Sequence, residues 1–88
     1  MRQKLILTTK IWKSGSHYVA YNPELEVATQ GKTKEQAETR LREAILLFLS
    51  AAKKVGTLSE VLSESGFMVK NRQMQSPSIS FTQLEVSV

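Results

Sequence analysis

The sequence predicts a single α+β domain, an antiparallel sheet of three or four strands packed on one long helix, with a short helix and a C-terminal strand added. Three observations carry this. Apolar and polar residues alternate through the first thirty positions, a helical repeat is bracketed by cap residues between Thr33 and Gly56, and 88 residues leave room for one core.

Lys4 to Lys13 reads as the first strand, with Leu5, Leu7, Thr9 and Ile11 on the core face and Lys4, Ile6, Thr8, Lys10 and Trp12 on the other. Ser14-Gly15-Ser16 is a turn, and His17 to Tyr21, rich in β-branched and aromatic residues, should return as the second strand of a hairpin. Asn22-Pro23 breaks the run because proline lacks an amide donor and restricts its predecessor. Val27 to Gln30 forms a short third strand before Gly31.

The long helix comes next. Thr33 with Gln36 is a capping box, and Gly56 is placed to end the helix in a left-handed conformation. Between them Ala37, Leu41, Ala44, Ile45, Phe48, Leu49 and Ala52 recur at spacings of three and four, one apolar stripe to lay on the sheet. Burying such side chains at roughly 1.5 to 3 kcal/mol each is the drive for docking, before entropy is deducted. A second capping box, Thr57 with Glu60, opens a short helix that buries Leu58, Val61 and Leu62 and stops at Gly66. Phe67 to Lys70 reads as a further strand and completes a sheet-helix core over residues 1–70. Residues 71–78 are a polar loop, and 79–88 are the closing strand. In that strand Ile79 and Phe81 share one phase and Leu84, Val86 and Val88 the other, which suggests a β-bulge or burial on both sides.

Composition narrows the function. With 41% hydrophobic and 23% charged residues the chain is an ordinary globular one. It contains no cysteine, hence no disulfide and no thiolate metal site; together with the lack of a secretory or membrane-spanning segment, this points to a cytoplasmic protein. The net charge of +4 resides in Arg2, Lys4, Lys10 and Lys13, because the eight later cations balance eight acids.

Those eight acids are all glutamates, and without aspartate the clustered carboxylates of metal-dependent phosphodiester chemistry are not expected. His17 is the only histidine and lacks partners for a metal site or a catalytic triad, and no glycine-rich phosphate loop occurs. No catalytic residue, metal or cofactor is expected, and the chain reads as a binding protein. Arg2, Lys4, Lys10 and Trp12 form one basic, aromatic strand face that suits single-stranded nucleic acid, although lysines on an exposed strand also guard against edge-to-edge aggregation. Leu46 and Leu47 fall outside the helical stripe. With Phe81, Leu84 and Val86 of the terminal segment they are candidates for self-association into a dimer or tetramer; that segment can return to its own sheet or add to a neighbour's.

The run His17-Tyr18-Val19-Ala20-Tyr21-Asn22-Pro23-Glu24-Leu25-Glu26, then Gln30-Gly31-Lys32-Thr33 and a helix carrying Glu43-Ala44, resembles the HicB antitoxin family. That family shows a Tyr-Val-Ala-x-x-Pro-Glu-Leu core and a Gln-Gly-x-Thr turn. Thr57 to Leu62, Gly66-Phe67 and the closing segment are similar to a short branch of it without an added DNA-binding domain. The resemblance implies a partial ribonuclease-H-like fold without nuclease activity. It also implies a HicA-type partner, a small toxin that cleaves messenger RNA and is blocked by contact, and no direct DNA autoregulation. Two departures stand out: relatives tend to be acidic whereas this chain is basic, and the cysteine often found before the proline is Asn22 here.

The expected toxin-facing surface is the loop of Tyr21, Asn22, Pro23, Glu24 and Glu26, stiffened by proline and carrying acids beside an aromatic. Lysine at positions 24 and 26 is then expected to weaken capture at nearly unchanged melting temperature.

Overall fold

Residues 4–88 are described in a computed structural model. Three strands, β1 (Lys10–Ser14), β2 (His17–Asn22) and β3 (Val27–Gly31), form an antiparallel meander in the order β1-β2-β3. Gly15-Ser16 joins β1 to β2 as a two-residue loop with positive φ at Gly15 alone, the signature of a type II′ turn whose twist matches the strands it joins. The helices α1 (Lys34–Val55) and α2 (Leu58–Glu64) come after the sheet, then a separate hairpin of β4 (Met68–Lys70) and β5 (Gln73–Gln75). This is the expected α+β architecture.

Both ends of α1 form as the cap residues predict. Thr33 Oγ1 accepts from the Gln36 amide at 3.0 Å, and Gln36 Oε1 reaches back to the Lys32 amide at 2.6 Å. At the other end Gly56 takes φ 83°, its amide donates to Lys53 and that of Thr57 to Ala52, the paired bonds of a Schellman motif. Gly66 closes α2 in the same way, through Gly66 to Ser63 and Phe67 to Leu62. The second capping box does not form: the Thr57 hydroxyl turns back to the Ala52 carbonyl at 3.4 Å, because the Gly56 turn leaves Thr57 facing the end of α1.

Ala20, Ala37, Leu41 and Ile45 are the buried centre, with Leu7, Ile11, Tyr18, Leu25, Val27 and Leu49 packed around them. Of the expected helical stripe, Ala37, Leu41, Ile45 and Ala52 are buried, Ala44 and Leu49 half-buried, and Phe48 exposed. A three-stranded sheet is too narrow to cover so wide a stripe. Small residues set the helix-sheet spacing: a Cβ on Gly31 would stand 2.7 Å from the Ala37 nitrogen, and Thr29 Oγ1 donates to the Ala37 carbonyl at 2.9 Å.

Three boundaries differ from the sequence reading. Pairing begins only at Lys10, since β2 ends at Asn22 and leaves residues 4–9 without a partner strand. The polar stretch after Lys70 is no loop: Asn71 and Arg72, with φ of 53° and 63°, make a type I′ turn into β5. Residues 79–88 form no strand, because no strand of this sheet system lies beside them.

Candidate partner-binding surface

The loop after β2 is built around a buried polar knot rather than an acidic contact surface. Asn22 is 0% and Glu24 8% exposed. The Thr8 amide donates to Glu24 Oε1 at 2.8 Å and the Thr8 hydroxyl to Oε2 at 2.6 Å. Asn22 Nδ2 donates both to the Thr8 carbonyl at 2.8 Å and to Glu24 Oε1 at 2.6 Å, while Asn22 Oδ1 accepts the Leu25 amide at 2.8 Å. Among the described residues no buried side-chain nitrogen or oxygen lacks a partner. Burial opposes the charge on Glu24. The hydrogen bonds from the Thr8 hydroxyl and amide, from the backbone at Glu24 and from Asn22 outweigh it, and the carboxyl titrates below its ordinary value of 4.5.

Asn22 and Glu24 are therefore buried rather than presented to solvent. The sequence places both on the toxin-facing surface, yet both are consumed in tying the unpaired segment before β1 to the turn after β2. Lysine at position 24 is therefore expected to lower the melting temperature, since an ammonium there meets donors where a carboxylate met them. Glu26 differs: it is exposed and held at φ 56°, in the left-handed region. Tyr21 and Pro23 are half-buried.

Strand register places Tyr21 in a larger surface. Tyr21 pairs with Lys10 and Ala28, and Val19 with Trp12 and Gln30, so these six share one face of the sheet. Helix α1 lies on the opposite face, where Ile11, Ala20 and Thr29 point. No helix packs on the first face, and Trp12 is 40% exposed in it. Lys10 Nζ sits 5.2 Å from the Trp12 ring centroid, a cation–π contact worth about 0.5–1 kcal/mol at an exposed site.

The other expected residues disperse. Lys4 is exposed in the extended segment before β1, away from the paired part of the sheet, and Arg2 lies outside the described residues. Leu46, Leu47, Phe81, Leu84 and Val86 are all exposed; only Leu46 lines a groove, and Leu47 points to neither of the two grooves beside α1. Among the described residues no three of His, Cys, Asp and Glu converge, and no helix is long and apolar enough to cross a membrane. Alternation along β1 already sets Lys10 and Trp12 on the face opposite Ile11, as found; that Val19 and Tyr21 join them follows only from the strand register. No family model, curated protein or solved structure matches this chain.

Proposed function

We propose that this chain is a HicB-like antitoxin, a non-catalytic cytoplasmic protein that captures and silences a HicA-type, mRNA-cleaving toxin by direct contact. One observation carries the reading. The segment that resembles the family, Tyr18 to Leu25, becomes a strand and a locked turn bordering a sheet face that no helix among the described residues covers. Trp12, Val19 and Tyr21 supply the apolar centre of that face, and Lys10, Ala28 and Gln30 its border. Aromatic anchors inside a polar rim are the usual make-up of a protein interface. The chain's basic character makes electrostatic steering of a basic toxin weak, so capture rests on these apolar anchors.

The test is inhibition of RNA cleavage by a purified HicA-type toxin. Trp12→Ala and Tyr21→Ala should each weaken inhibition at least ~10-fold while the unfolding midpoint stays within the range of ordinary surface substitutions. Undiminished inhibition by both variants removes this surface, and absence of any inhibition by the native chain removes the antitoxin reading. The Lys10–Trp12 pair favours a second reading, an RNA-binding module in which cation and ring together receive a phosphate and a base. That reading requires affinity for single-stranded RNA that falls steeply with salt.

A further inference from the structure

An open apolar groove of about 930 Å³ runs between the second half of α1, α2 and the β4–β5 hairpin, walled by Leu46, Leu49, Leu62, Phe67, Met68 and Met74. Leu46 and Met68 are 54% and 67% exposed, so the walls are wet in the isolated chain. The same chain carries an apolar segment without contacts to bury it: in residues 79–88 Phe81 is 60% and Leu84 85% exposed, with Val86 and Val88 beside them.

The path of the chain decides where that segment can go. The Ser76 hydroxyl donates to the Ile6 carbonyl at 2.6 Å, and Pro77 lies so close to Gly66 that a Cβ there would meet it at 3.0 Å. These two contacts hold the chain at Ser76 and Pro77, and beyond them Phe81, Leu84, Val86 and Val88 are exposed. From Ile79 to Val88 there is no glycine, proline, asparagine or aspartate, and Ile79, Phe81, Thr82, Val86 and Val88 give the segment the composition of an extended strand. The radius of gyration, 15.1 Å, exceeds the ~12 Å of a compact chain this long, as a projecting segment requires.

We propose that residues 79–88 of one copy occupy the groove of a second copy, and that the exchange is reciprocal across a two-fold axis. The segment has the strand composition and length for it, about 33 Å if extended. Leu5, from the segment before β1 that pairs with no strand, also lines the groove. Glu85, the only acid of the segment, meets a groove that carries Lys53. A stable dimer buries roughly 1,200–2,000 Å² in total. This inference does not depend on the toxin reading.

Sedimentation equilibrium of the full chain tests it. The native chain should sediment as a dimer of twice 9.9 kDa. Phe81→Ser/Leu84→Ser in the segment and Leu46→Glu in the groove should each weaken the dimer by about a hundredfold or more, with the helical circular dichroism unchanged. A native chain that stays monomeric at high micromolar concentration overturns the proposal. So does a dimer that survives the segment variant, or one that survives the groove variant.

Discussion

Thr8 and Glu24 meet through both carboxylate oxygens, with the Thr8 amide on Oε1 at 2.8 Å and the Thr8 hydroxyl on Oε2 at 2.6 Å. Sixteen residues apart, they join the strandless segment before β1 to the turn after β2, and Asn22 braces both. Removing the carboxylate strands three donors at once. Glu24→Ala should lower unfolding free energy by about 2–4 kcal/mol in urea denaturation. Glu24→Gln, which keeps the shape and one acceptor oxygen, should cost less than half of that. Equal losses in the two variants would mean that shape, not acceptor capacity, is what position 24 supplies.

The same carboxyl makes stability depend on pH. Its folded value lies below the ordinary 4.5 of the unfolded chain, so the unfolded state binds the proton more readily. The contribution is complete above about pH 4.5 and is lost as pH falls through the folded value. Urea midpoints should therefore drop on acidification below about pH 4.5 in the native chain, and drop less in Glu24→Gln. Parallel curves for the two proteins would rule out Glu24 as the source.

Gly31 is held by space rather than by dihedral angle. A Cβ would lie 2.7 Å from the Ala37 nitrogen and 3.0 Å from the Gln36 carbonyl carbon, both backbone atoms that cannot swing aside. Gly31→Ala should cost about 1–3 kcal/mol and loosen the Thr29–Ala37 hydrogen bond, which hydrogen exchange of the first turns of α1 would register. Unchanged exchange and an unchanged midpoint would show that β3 and α1 separate without penalty.

The β4–β5 turn holds a different reserve. Asn71 suits its left-handed conformation, but Arg72 at φ 63° does not. Arg72→Gly gives the Asn-Gly pair that type I′ turns favour and should stabilise the hairpin by roughly 0.5–1 kcal/mol. Slower amide exchange at Met68 to Gln75 is the expected readout. Faster exchange would mean that Arg72 contributes through its side chain.

Much of this protein was legible in its sequence because the deciding physics is local. Thr33, Gln36 and Gly56 delimit α1 through backbone groups within a few residues of each other, Gly15 sets the first hairpin, and Leu41 and Ile45 lie on the core face by helical periodicity alone. The absence of aspartate and cysteine limits chemistry before any fold is known. Contacts between distant segments decided the rest. Asn22 and Glu24 read as surface residues until residue 8 arrives beside them, and Asn71-Arg72 reads as loop until Met68 and Gln75 pair. Alternation along β1 turns Trp12 away from the core, but that Val19, Tyr21, Ala28 and Gln30 share its face depends on the register of three strands. Local preference acts through a few neighbouring bonds and can be read along the chain. Burial is settled by whatever else fills the space.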